Sequence, residues 1–138
     1  MKIITLLLTL LALVLLSTAC ASQSPLEVSC DSFDKEPNQS GEVEVSAGEE
    51  FTLVLCSNPT TGFTWSQKAD ISDPSVVTQV NHVLVPPTGD TPPGAASDEK
   101  WTFKALQTGN STVSLEYSHN WEGGEKGVWT YQLNVVVK

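Results

Sequence analysis

Residues 129–137 read WTYQLNVVV, the longest run of alternating side chains in the sequence. The side chains at positions 129, 131, 133, 135 and 137 would share one face of a strand, opposite the residues between them. Similar alternation occurs at residues 43–45, 51–55, 101–105 and 113–117, and a further apolar stretch lies at 76–85. No segment after the first twenty residues shows a sustained helical period, so the chain is predicted to be all-β.

Turn-forming residues separate these runs. They are Ala47-Gly48-Glu49, Asn58-Pro59, Thr108-Gly109-Asn110 and Gly123-Gly124. Short strands punctuated in this way predict an immunoglobulin-like β-sandwich of about seven to eight strands. Most aromatic residues then belong to the core, notably Trp65, Trp101, Phe103 and Trp129.

The composition limits the classes of partner. The chain has 138 residues, which fits one domain, and seven basic residues, all lysines, face 16 acidic ones for a formal net charge of −9. A surface of this charge repels phosphate backbones and anionic lipid headgroups. Nucleic-acid binding is therefore not expected, and membrane contact is expected only through an attached lipid.

The amino terminus predicts export. After Met1-Lys2, residues 3–16 are nearly all apolar. As a helix this run would rise about 21 Å, less than the ~30 Å of a bilayer core, which favours a signal peptide over a membrane span. Small residues then precede Cys20, as in bacterial lipoprotein cleavage sites. We expect a signal peptide at 1–19, a tether at 20–26 and a β-sandwich domain at 27–138.

In that organisation Cys20 is the lipidated first residue of the mature protein. The protein would then be a membrane-anchored lipoprotein at the cell surface or in the periplasm. The alternative is ordinary secretion, with Ala19 as the small residue before cleavage.

Export bears on the two other cysteines. An oxidising compartment favours a disulfide between Cys30 and Cys56. The alternative is a catalytic thiolate at Cys56 with His82 or His119 as its base, although no motif places a histidine beside it. The Cys and His residues show no metal-ligand spacing, so neither a metal nor a cofactor is expected.

Three segments have residue compositions that a simple connection between strands does not require. Residues 58–63 read NPTTGF, a stiff polar loop whose Asn and Thr side chains are expected to bond to the loop's own amides. Residues 86–97 hold four prolines and two glycines, and could be simply a mobile linker. Residues 119–121 read HNW at a Gly-rich hairpin tip, where an exposed Trp121 favours a contact site. In an immunoglobulin-like sandwich, three such loops can meet at one end.

One family shares this combination. Residues 55–65, LCSNPTTGFTW, resemble the signature of the chagasin-type inhibitors of papain-like cysteine peptidases. The resemblance extends to the Gly-containing loop before residues 101–105 and to residues 117–121, YSHNW, where the family typically carries Arg-Pro-Trp. It covers roughly residues 43–138.

The resemblance implies a reversible, tight-binding inhibitor, active as a monomer, that inserts three loops as a wedge into the cleft of a papain-like cysteine protease. Thr60 and Thr61 would lie over the catalytic cysteine, part of residues 93–98 would pair with the non-primed side, and Trp121 would stack on the primed side. The implied protease-binding residues are Asn58, Pro59, Thr60, Thr61, Gly62, Phe63, Gly94, Ala95, Ala96, His119, Asn120 and Trp121. His119 and Asn120 replace the family's Arg and Pro, which removes a fixed cation and a backbone constraint.

Three other classes remain as alternatives. The exposed Trp121 would also suit an adhesion or assembly module that binds carbohydrate or protein. An enzyme is disfavoured because the sequence has no nucleophile elbow, phosphate loop or metal-ligand spacing. The last alternative is a purely structural domain.

Overall fold

The computed structural model describes residues 23–138, most of which lie in two β-sheets. The predicted signal peptide and the predicted lipidation site at Cys20 lie outside the described residues. In chain order the strands are β1 (Leu26–Val28), β2 (Asn38–Val45), β3 (Glu50–Ser57), β4 (Phe63–Trp65), β5 (Asp70–Ile71), β6 (Val77–Val85), β7 (Ser97–Ala105), β8 (Gly109–His119) and β9 (Trp129–Val137). A short helix, α1 (Cys30–Lys35), precedes β2, and a 3₁₀ turn, η1 (Pro59–Thr61), precedes β4.

The two sheets are the layers of a sandwich. The first has the strand order β1-β3-β7-β6, and the second has the order β2-β9-β8-β4 with β5 beside β8. β3, β6 and β7 pair antiparallel, as do β4, β8 and β9, whereas β1 runs parallel to β3 and β2 runs parallel to β9. The nine strands of the described residues exceed the predicted seven to eight, because β1 and β5 are too short to show alternation.

The core lies between the sheets and follows the predicted alternation. Trp65, Trp101 and Phe103 are at most 1% exposed, and the apolar face of β9 is buried from Tyr131 to its end. Trp129 is half-buried and packs against this core. Within residues 23–138 no helix is long and apolar enough to cross a bilayer.

α1 was not expected from the sequence. Its Phe33 is buried between the rings of Trp65 and Trp129, with centroid distances of 5.2 and 5.1 Å. A disulfide joins Cys30 at its start to Cys56 in β3, with a Cα–Cα distance of 5.2 Å. A six-residue helix is too short to show a period and depends on such tertiary contacts, so the sequence pattern does not reveal it. The rest of the domain is β-structure, as predicted.

Candidate functional site

The three unusual segments lie at the same end of the sandwich, which we call the loop end. The Asn58 loop (residues 58–62) connects β3 to β4, the long loop (86–96) connects β6 to β7, and the Trp121 loop (120–128) connects β8 to β9. The ladder pairs Ser57 with Ser97 and Phe63 with His119, so all three loops begin and end at neighbouring positions. The prediction that they meet at one end agrees with this register.

The Asn58 loop is held by its own side chains. Thr60 Oγ1 donates to Asn58 Oδ1 at 2.5 Å, and Thr61 Oγ1 donates to the Asn58 carbonyl at 2.6 Å. The Phe63 N–H makes a longer contact of 3.4 Å with Thr61 Oγ1, so Thr61 bonds to the backbone amides of the loop as expected, whereas Thr60 bonds to the Asn58 side chain. Gly62 closes η1 with φ +84°, a left-handed conformation that favours glycine. Thr60 and Thr61 remain exposed at the tip.

Asn58 also fixes this loop to the rest of the molecule. Its backbone N–H donates to Tyr117 Oη at 2.8 Å, and its Nδ2 donates to the Gly94 carbonyl at 3.1 Å. The second bond joins the Asn58 loop directly to the long loop. Tyr117 is buried in β8 and holds the start of the loop through this hydroxyl. The alternating pattern of β8 predicts that Tyr117 is buried, but it does not predict this contact with the loop.

The long loop ends earlier than predicted. Ser97 and Asp98 already belong to β7, where they pair with Ser57 and Cys56. The predicted contact residues Gly94 and Ala96 are exposed and Ala95 is half-buried. The Ala95 N–H donates to the Pro92 carbonyl at 3.1 Å, which forms a turn. Gly94 therefore lies at the tip of a hydrogen-bonded turn and not in a mobile linker.

Aromatic rings connect the Trp121 loop to the core. The His119 ring stacks on Phe63 at a centroid distance of 3.6 Å and on Trp121 at 4.0 Å. Phe63 in turn stacks on Tyr117 at 5.6 Å. His119 stands where the family has Arg, and its ring stacks on both Phe63 and Trp121. The stack extends outward to Trp121, whose side chain is 54% exposed.

Polar contacts hold the backbone of the same loop. Lys126 Nζ donates to the carbonyl oxygens of His119 and Trp121, the latter at 3.3 Å. Asn120, which stands where the family has Pro, donates through Nδ2 to Thr64 Oγ1. The tip therefore has a cation from Lys126 and a side-chain constraint from Asn120 in place of the two family residues.

Trp121 also lies against the Asn58 loop. A Cβ added at Gly62 would stand 3.1 Å from Trp121 Cη2. With the bond from Asn58 to Gly94, this contact makes the three loops one continuous edge. A groove of about 550 Å³ runs beside it and is lined in part by Phe63, Tyr117 and Trp129.

The Cys56 sulfur is bonded to Cys30, so the alternative of a catalytic thiolate at Cys56 fails. Among residues 23–138, no three His, Cys, Asp or Glu side chains are grouped to hold a metal. Away from this edge, hydrogen bonds from Ser75 lower the pKa of Asp73, and burial raises the pKa of Tyr131.

An immunoglobulin-like sandwich with a rigid three-loop edge defines a binding protein. Residues 44–135 match the model of the chagasin family peptidase inhibitors, I42, over well more than half of the chain. The chain therefore belongs to the chagasin family of peptidase inhibitors. This confirms the predicted family and the prediction that the protein is an inhibitor and not an enzyme. α1 and Cys30 precede the matched residues.

Solved structures share the fold. The cysteine protease inhibitor EhICP2 from Entamoeba histolytica has a TM-score of 0.61 at 19% identity, covering 82% of this chain and 95% of that one. Amebosin in solution has a TM-score of 0.54 at 20% identity, covering 84% and 100%. PbICP-C in complex with falcipain-2 has a TM-score of 0.60 at 14% identity, covering 82% and 99%. These likenesses confirm the immunoglobulin-like fold. Comparison with curated protein sequences gives no match.

Proposed function

We propose that the protein inhibits papain-like cysteine proteases by inserting the Asn58 loop, the long loop and the Trp121 loop together into the active-site cleft. Membership of the chagasin family supports the inhibitory function. The names of two structural relatives, the cysteine protease inhibitor EhICP2 and PbICP-C in complex with falcipain-2, support the target class. The observation that carries the wedge is the contact of the Asn58 loop with both other loops, through Gly94 and Trp121.

The Asn58 loop would lie over the catalytic cysteine with Thr60 and Thr61 at its tip. Because both hydroxyls bond to Asn58, the loop loses little conformational entropy on docking. The same bonds hold η1 in a turn and oppose the extended geometry in which a peptide carbonyl is presented to the thiolate. The loop would thus bind in the cleft without being cleaved.

Trp121 would anchor the edge on the primed side of the cleft. Its exposed indole offers a large apolar surface, and its stacking on His119 fixes the ring before docking. Preorganised aromatic residues of this kind carry much of the binding energy in protein interfaces. The residues around Gly94 would supply backbone groups on the non-primed side.

Titration of papain with the purified domain tests this proposal. Trp121→Ala should weaken inhibition by about 2 kcal/mol, roughly thirtyfold in Ki, as expected for an interface anchor. Thr60→Ala removes one hydrogen bond and should cost about 1 kcal/mol, or roughly fivefold. Leu106→Ala, an exposed apolar residue after β7 at the opposite end, is the control and should keep full potency. Unchanged Ki values for both loop variants would reject the proposed wedge.

We also propose export with cleavage before Cys20 and lipidation of that residue, followed by a tether that reaches the domain near Leu26. The course of the chain suits this arrangement, because Gln23 Nε2 donates to the Glu44 carbonyl at the end opposite the loops. A lipid at Cys20 would then leave the loops facing away from the membrane, about 36 Å beyond it along the length of β8. Mass spectrometry of the mature amino terminus tests this: an unmodified Cys20 or Ala21 start would reject lipidation.

A further inference from the structure

A buried acidic side chain lies directly beneath the loop end. Glu99 in β7 is 3% exposed, and its carboxylate points between the two sheets. Ser57 Oγ donates to Glu99 Oε1 at 2.8 Å, and His82 Nε2 lies 2.8 Å from Oε2. The backbone N–H of Trp65 makes a longer contact of 3.4 Å with Oε1. Both carboxylate oxygens are therefore hydrogen-bonded.

The partners of Glu99 flank two of the three loops. Ser57 immediately precedes the Asn58 loop, and Trp65 follows it in β4. His82 precedes the long loop in β6, and Glu99 itself follows that loop in β7. Glu99 and its partners therefore link the two strands that flank the Asn58 loop with the two strands that flank the long loop. Through Trp65 it also reaches the second sheet.

Stability alone does not account for an acid at this position. Removing a carboxylate from water is unfavourable, and hydrogen bonds mainly compensate that penalty. A well-packed apolar side chain of similar volume stabilises a core at least as well. An acid differs from such a side chain in being directional, since its two oxygens fix donors at set distances. Here those donors belong to the bases of the loops.

We propose that Glu99 is a positioning residue of the inhibitor: its buried carboxylate sets the relative position of the Asn58 loop and the long loop so that both enter one cleft. This inference rests on the proposed wedge. It assigns no such role to Glu99 toward the Trp121 loop, which is held instead by the His119 stack and by Lys126. The effect of losing the carboxylate should therefore be specific to two loops.

Three variants test the proposal against papain. Glu99→Leu replaces the carboxylate by an apolar side chain and should raise Ki about tenfold, with faster cleavage of the variant by the protease. Glu99→Gln keeps the shape and one acceptor for Ser57, so it should restore most of the affinity. Glu50→Leu, the same substitution at an exposed acid at the other end of β3, is the matched control and should keep the parental Ki.

Double-mutant cycles separate positioning from general destabilisation. Assayed well below the unfolding temperature, Glu99→Leu should be less than additive with Thr60→Ala and additive with Trp121→Ala. An unchanged Ki for Glu99→Leu, or equal coupling to both loops, would overturn the inference. If Thr60→Ala and Trp121→Ala themselves leave Ki unchanged, it is the proposed wedge that fails.

If Glu99→Leu does not fold, Ser57→Ala provides a second test of the same proposal. This variant removes one hydrogen bond to Glu99 with little change in volume. It should raise Ki about threefold and couple to Thr60→Ala in the same way. A parental Ki for Ser57→Ala would then contradict the inference.

Discussion

Gly62 is the residue at which backbone conformation and loop contact coincide. Its φ is +84°, and Trp121 packs over it. Gly62→Ala should therefore destabilise the fold by about 1–2 kcal/mol through left-handed strain, and should also displace the indole. Urea denaturation gives the first effect, and the Ki for papain gives the second, expected to rise at least about tenfold with loss of a preordered anchor.

Gly89→Ala is a matched control for this prediction. Gly89 lies in the long loop with φ +81°, but an added Cβ there would meet nothing within 4 Å. It should show a similar loss of stability and a much smaller change in Ki. Equal changes in Ki for the two variants would show that strain alone, and not the contact with Trp121, matters for inhibition.

The Asn58 loop shows what single residues reveal from sequence. Pro59, Gly62 and the two threonines predict a stiff, polar-tipped loop, because each acts on its immediate neighbours. The bonds from Asn58 to Tyr117 and Gly94 were not predictable, since those partners are 59 and 36 residues away. The support of the loop thus depends on sheet register, which local patterns do not specify.

At the scale of elements, the disulfide holds α1 onto the end of β3. Its cysteines are 26 residues apart, so the Cys30→Ser/Cys56→Ser variant should lose roughly 3 kcal/mol of unfolding free energy. Urea denaturation without reductant measures this loss. The parental protein unfolded with reductant is the control and should approach the variant. A loss near zero would mean that the packing of Phe33 alone secures α1.

Sequence patterns identified the longer elements and missed the shortest. Alternation located the buried faces of β3, β7, β8 and β9, because each strand has one face toward the core. α1 and the two-residue β5 carry no periodic signal. α1 exists because Phe33 fills a space between Trp65 and Trp129, which only the assembled core creates.

In the whole molecule, the two ends of the sandwich differ in the residues that they carry. The loop end carries the continuous edge, and the opposite end receives the chain from Gln23 and carries the Lys138–Glu44 ion pair. Clustering of the loops could be expected from sequence because an immunoglobulin-like topology returns alternate connections to one end. The contacts of the buried Glu99 carboxylate could not, because its partners come from three different strands, none of them its own.

Insertion of the three loops into the cleft is tested by filling that cleft in the protease beforehand. Binding of the domain should be measured calorimetrically with active papain and with papain whose catalytic cysteine carries a covalently attached epoxysuccinyl peptide that fills the cleft. We predict tight one-to-one binding to the open enzyme, near −12 kcal/mol for a nanomolar complex, and no measurable binding to the filled one. Equal affinity for both forms would contradict insertion of the three loops into the active-site cleft.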